Sequence, residues 1–212
     1  MAPPVAPLTR PVLVGRSSSH FTRITRIFAA ELGVAHDYEV VRDLLSLERD
    51  AYGGNPALRL PILRTQAGDW FGALNISREL WRRSSQRLSI TWPEDLSVPL
   101  LANAQELASQ AMANEVTLIM AKRTEIDDAN AYISKLRLGL ANTVAWLDAQ
   151  LEHIVAASPA RELSYLEVTL FCLLTHLEFR EVLPIAPYAN LNRFCASFGQ
   201  RASARATPFR MD

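Results

Sequence analysis

Asn55-Pro-Ala-Leu-Arg-Leu-Pro-Ile-Leu63, followed after a short turn by Asp69-Trp-Phe-Gly-Ala-Leu-Asn-Ile76, is the stretch that decides the fold. Pro61-Ile62-Leu63 reads as one strand and Asp69-Trp70-Phe71 as the next, joined by the turn formers Gln66-Ala67-Gly68. From Ala73 to Arg83 the apolar spacing becomes helical, with Ile76, Leu80 and Trp81 on one face. Working back toward the start, Val12-Leu13-Val14 is a short apolar strand. Phe21 to Leu32 is a helix with Ile24, Ile27, Phe28 and Leu32 together, stopped by Gly33. Tyr38, Val40 and Val41 suggest a further strand, and Leu44 to Ala51 a short or irregular helix. A β-α-β unit followed by β-β-α is the order of a thioredoxin-like α/β domain, here residues 11–87.

Beyond it the pattern is helical. Residues 88–98, with Pro93 and turn formers, read as a linker, and 99–212 as an all-helical domain. Leu100 to Lys122 carries Leu100, Ala104, Leu107, Ala111 and Leu118 near one stripe. Asp127 to Val155 carries Ile133, Leu136, Leu140, Val144, Leu147, Leu151 and Ile154 at steps of three and four, interrupted by Gly139, for which close packing is the expected reason. Leu163 to Phe179 is apolar almost all round and is expected to be the buried central helix. Ser164 and Glu167 at its head fit a capping box. Residues 1–10 read as a flexible tail, with no apolar core long enough for a signal peptide.

With 22 basic and 22 acidic residues in 212, the chain has no net charge to draw it to nucleic acid or anionic lipid. No uncharged apolar run reaches the ~18 residues of a membrane helix. Cys172 and Cys195 lie in apolar, helix-like surroundings, as expected of a reduced, cytoplasmic protein. His20, His36, His153 and His176 show no metal-ligand spacing, so no metal is expected. Phosphate-binding glycine loops and hydrolase elbows are absent from the sequence. Arg78, Arg82 and Arg83 form a basic patch read as a solvated face or subunit contact.

The opening stretch resembles the Asn-Pro-x-Gly-Lys-Val-Pro-x-Leu run of the glutathione S-transferase family, which is followed there by an acidic-Ser dipeptide at a helix start. Tyr188-Ala-Asn-Leu-Asn-Arg-Phe194 and Arg201-Ala-Ser-Ala-Arg-Ala-Thr207 are similar to the family's closing segment. The resemblance runs from about Val12 to Thr207 and implies a thioredoxin-like domain followed by a helical one, assembled as a homodimer. It also implies a cis Leu60-Pro61 bond, although only ~5–6% of X-Pro bonds in folded proteins are cis. The Leu60 backbone would then pair with the cysteinyl part of glutathione like an added strand, with Arg59 and Pro61 beside it.

In Arg16-Ser17-Ser18-Ser19-His20-Phe21, three serines before a helix need be no more than N-cap residues. The resemblance puts Ser19, with Ser18 as the neighbouring candidate, on a thiol-stabilising serine. A hydroxyl donated to sulfur, with the helix dipole, favours thiolate over thiol. His20 stands where proline or serine is usual; a lone histidine here is expected at the surface. No cysteine occupies this loop, which argues against thiol-reductase members.

Gly72 and Ala73 depart from the family, where the acid holds the glutathione α-amino group and the serine its γ-glutamyl carboxylate. Ala73 keeps an amide at a helix N-terminus, which still favours an anion. Losing a charge-assisted and a neutral hydrogen bond weakens binding by ~100-fold or more. Asn75 or an acid from a partner subunit are the candidate substitutes. The family reading is thus a glutathione transferase of detoxifying type, joining a glutathione thiolate to a small hydrophobic electrophile lodged near Met112 and Ile119. The alternatives are a non-catalytic ligand- or protein-binding module that has lost glutathione, and an isomerase or dehalogenase using it.

Overall fold

A computed structural model describes residues 10–212, so nearly all of the expected flexible tail lies outside the described residues. The elements, in chain order, are β1 (Val12–Gly15), α1 (His20–Glu31), β2 (Asp37–Val40), β3 (Ile62–Thr65), β4 (Gly68–Phe71), α2 (Ala73–Arg83), β5 (Ile90–Thr91), α3 (Pro99–Arg123), α4 (Ala131–Ala157), β6 (Leu163–Ser164), α5 (Tyr165–Phe179), α6 (Ala189–Phe198) and α7 (Ala202–Ala206). The described residues form two compact units, one of residues 10–87 with 202–212 and one of residues 88–201. The helical domain expected over residues 99–212 stops short of the end of the chain, because the last eleven residues associate with the first unit.

The first unit is a thioredoxin-like sheet of order β2-β1-β3-β4. β1 and β2 run parallel, joined by α1 in a β-α-β crossover; β1 pairs antiparallel with β3, and β3 with β4. Helix α1 begins because the Ser19 hydroxyl accepts the Thr22 N–H at 3.2 Å. It ends at Leu32, and Gly33 takes the left-handed φ of 62° that the exit needs. Its Ile24, Ile27, Phe28 and Leu32 face are fully buried, each such side chain contributing ~1.5–3 kcal/mol on transfer from water. The expected helix over residues 44–51 is only a single 3-10 turn at Arg49–Tyr52, closed by Gly53 and Gly54. On α2, Ile76 and Leu80 are buried as expected, whereas Trp81 is exposed; the buried arc runs instead through Ala73 and Ser77.

The second unit is mainly helical. On α4 the seven expected apolar positions are all buried. Gly139 is not a packing contact, however: a Cβ there would meet nothing within 4 Å. On α3 the buried face is shifted from the expected stripe, through Leu101, Ala104, Ala108, Ala111, Met112, Glu115 and Leu118. Abundant alanines and the buried polar Gln105 and Glu115 blur the apolar period that would locate this face. Glu115 meets His176 of α5 at 2.7 Å, both side chains buried. The capping box does not form. Ser164 makes no side-chain cap bond and lies in β6, paired with β5, while Glu167 binds the Arg161 guanidinium, a stronger partner than an amide. The expected linker therefore contains β5 and belongs to the helical unit.

Candidate functional site

Strand register brings three loops to one end of the first unit's sheet. Val14, near the end of β1, stands opposite Ile62, the first residue of β3, and Ile62 opposite Phe71, the last of β4. The Arg16–Ser19 loop, the Arg59–Pro61 segment and the Gly72–Ala73 helix start thus share that end.

Leu60-Pro61 is cis. Asn55 shapes the approach to it: its side-chain amide donates to the Arg59 carbonyl at 2.7 Å, and its oxygen accepts the Ala57 N–H at 3.0 Å. Leu60 is half-buried and precedes the β3 ladder, whose first paired residue is Ile62. The Gly72 N–H donates to the Pro61 carbonyl at 3.3 Å, which fixes the start of α2 directly beside this segment. Gly72 has φ 83° and ψ 146°, a conformation closed to most L-residues. Glycine at this position avoids the backbone strain that a side chain would bring. Ala73 is buried, and no side chain caps α2. The exposed Asn75 donates its side-chain amide to the Phe71 carbonyl at 3.2 Å.

In the serine loop, Ser17 and Ser18 are buried and Ser19 half-buried. The Ser19 oxygen accepts from Thr22, which leaves the hydroxyl proton to donate. His20, expected at the surface, is 1% exposed, with its ring 4.6 Å from Phe21 in an edge-to-face arrangement. Two neighbours of this loop were not foreseen. Tyr38 on β2 hydrogen-bonds Ser17, and the Asp212 carboxylate accepts the Ser17 N–H at 2.5 Å. Burial pushes the Tyr38 phenol above its ordinary pKa; the Ser17 bond and Arg26 oppose the push, and Asp212 adds to it.

No protein-family model matches the chain, and no curated protein matches it by sequence. Solved structures do match. A glutathione S-transferase from Methylobacillus flagellatus KT, with glutathione bound, superposes with a TM-score of 0.73 at 23% identity, over 93% of this chain and 98% of that one. A transferase-family member from Pseudomonas fluorescens Pf-5, also with bound glutathione, gives 0.74 at 17% identity, over 94% and 99%. One from Methylobacterium radiotolerans, in complex with glutathione sulfonate, gives 0.73 at 19%, over 96% and 97%. The fold is that of the glutathione S-transferases. At such identities the likeness speaks for the fold alone.

Within this transferase fold, the other residues singled out from sequence take varied places. Met112 is fully buried in the helical unit, and Ile119 half-buried. Arg82 and Arg83 both pair with Glu79, at 3.1 and 2.7 Å, and Arg82 also lies 4.9 Å over Trp70, so one carboxylate serves two of the three guanidinium groups in the basic patch. Cys172 is buried and Cys195 half-buried, and neither is in a disulfide. Asp148 on α4 caps α6, accepting the Asn190 and Leu191 N–H groups at 2.9 and 3.0 Å. Among the described residues no helix is long and apolar enough to cross a membrane.

Proposed function

We propose that the protein is a glutathione transferase-like enzyme that joins a glutathione thiolate to a hydrophobic electrophile. The observation that carries this reading is the junction of Pro61 and Gly72. Their hydrogen bond sets the cis Leu60-Pro61 segment, a place for an extended peptide backbone, against the helix start at Ala73, a place for a carboxylate. Support comes also from the solved structures of this fold that hold glutathione or its sulfonate.

In this reading the Leu60 backbone pairs with the cysteinyl unit, with Arg59 alongside. The Ala73 amide takes the γ-glutamyl carboxylate. Ser19, already fixed as the cap of α1, donates its free hydroxyl proton to the sulfur. The hydrogen bond and the helix dipole lower the thiol pKa, so the nucleophile exists near neutral pH. The sulfur attacks the electrophilic carbon, and the leaving group departs with the bonding pair. Ser18, His20 and Phe21 would border the thiol, and Met112 and Ile119 belong to the helical unit proposed to receive the electrophile. Homodimerisation and a cytoplasmic setting, the latter in keeping with two cysteines outside any disulfide, belong to the same proposal.

The test is a thermal-shift titration with millimolar glutathione, joined to a conjugation assay on Ser19→Ala. Binding with conjugation that collapses in the variant is the expected result. No shift in the parent protein would reject the enzyme reading in favour of a non-catalytic module. Ala73→Ser should tighten glutathione binding about fivefold, the worth of one neutral hydrogen bond.

A further inference from the structure

The loop between β1 and α1 is held from two directions, by the adjacent helix and by a segment nearly two hundred residues further along the chain. Thr22, one turn into α1, packs against its start: a Cβ on Gly15 would lie 2.5 Å from Thr22 Cγ2, and the Arg16 N–H points to Thr22 Oγ1 at 3.4 Å. From the other direction comes the segment after α7. The Arg23 guanidinium lies 4.4 Å over the Phe209 ring and donates to the Ala204 carbonyl at 3.3 Å. The Arg210 N–H donates to the Ser17 carbonyl at 3.4 Å, and the Ser17 N–H to the Asp212 carboxylate at 2.5 Å. Ser203 adds a hydrogen bond from its hydroxyl to Glu31 at the far end of α1.

Ser17 thus commits both its N–H and its carbonyl to this segment. The Ser19 N–H in turn donates to the Arg16 carbonyl at 3.2 Å, so the turn that presents Ser19 closes around Ser17. A charge-assisted bond to a backbone amide is among the stronger restraints available to such a loop.

We propose that residues 207–212 form a strap that sets the conformation of the Arg16–Ser19 loop, with Asp212 as a positioning residue that acts on Ser19 through Ser17. The strap rests on the proposed function only for the identity of the ligand the loop serves. Amide hydrogen exchange on the full chain tests it without any ligand. In Asp212→Ala the Ser17 and Ser19 amides should exchange at least about tenfold faster, while core amides of α1 keep their protection. Asp212→Glu should restore the slow exchange, and Phe209→Ala, which removes the ring beneath Arg23, should reproduce the fast one. In the same variants glutathione affinity should fall and recover in step. Unchanged Ser17 exchange in Asp212→Ala would overturn the strap, as would faster exchange with unchanged glutathione affinity. If the parent protein binds no glutathione, the transferase reading fails, and the exchange data alone decide the strap.

Discussion

Gly72→Ala isolates the backbone conformation at the head of α2. Gly72 sits at φ 83° and ψ 146°, and a Cβ there would meet nothing within 4 Å, so the substitution adds no clash. Its cost is backbone strain, ~1–3 kcal/mol for a non-glycine residue in this region. The more restricted unfolded chain returns ~0.4–1 kcal/mol, leaving a net loss of about 1–2 kcal/mol around the middle of both ranges. The backbone has little room to relax, because the Gly72 N–H is tied to Pro61 at 3.3 Å and its carbonyl to the Ile76 N–H at 3.1 Å. In a chain of this size the loss lowers Tm by roughly 2–8 °C. Urea unfolding followed by circular dichroism measures it directly. Gly139→Ala is the matched control: the same methyl group, also into open space, in the interior of α4, where it should stabilise by up to ~1 kcal/mol. If Gly72→Ala is neutral, or stabilises as Gly139→Ala does, the fold does not enforce the positive φ and the strain reasoning is wrong.

Other perturbations probe the same end of the sheet. Ser19→Ala removes the cap of α1 and should cost about 1 kcal/mol by chemical denaturation, whatever becomes of activity. Gly15→Ala drives a methyl group to 2.5 Å from Thr22 Cγ2 and should destabilise by ~1–3 kcal/mol; a double-mutant cycle with Thr22→Ala should return part of the loss. Burial holds the Tyr38 and Tyr52 phenols above their ordinary pKa, so above pH ~10 the unfolded chain releases protons that the folded one retains, and stability falls as pH rises. Tyr38→Phe should make that alkaline decline shallower in unfolding curves measured across the range.

Local chemistry made much of the fold legible. The hairpin at Gln66-Ala67, the Ser19 and Gly33 boundaries of α1 and the seven-residue apolar stripe of α4 each depend on neighbours within a few positions. The α3 face was misplaced because alanines and two buried polar residues flatten its period. The capping box failed because Glu167 had a better partner in Arg161, which no spacing rule weighs. At the candidate site, the Pro61 segment and the Gly72 helix start were readable as pieces, but their hydrogen bond was not. Tyr38 and Asp212 carry no local mark at all. Their contact with Ser17 exists only once β2 and the segment after α7 have folded back onto the first sheet, and for the same reason His20 looked like a surface residue and is buried.

The two-residue ladder between β5 and β6 also orders events in time. It joins Ile90 to Leu163 and Thr91 to Ser164, across roughly 70 residues that contain α3 and α4. Closing so long a loop gains two short pairings and is unfavourable until the intervening helices have folded into a compact hairpin. Assembly of this unit should therefore begin with α3 against α4 and finish with the ladder. Truncating Ile90 should then quicken unfolding and leave refolding nearly untouched, whereas truncating Val144 in the buried stripe of α4 should slow refolding.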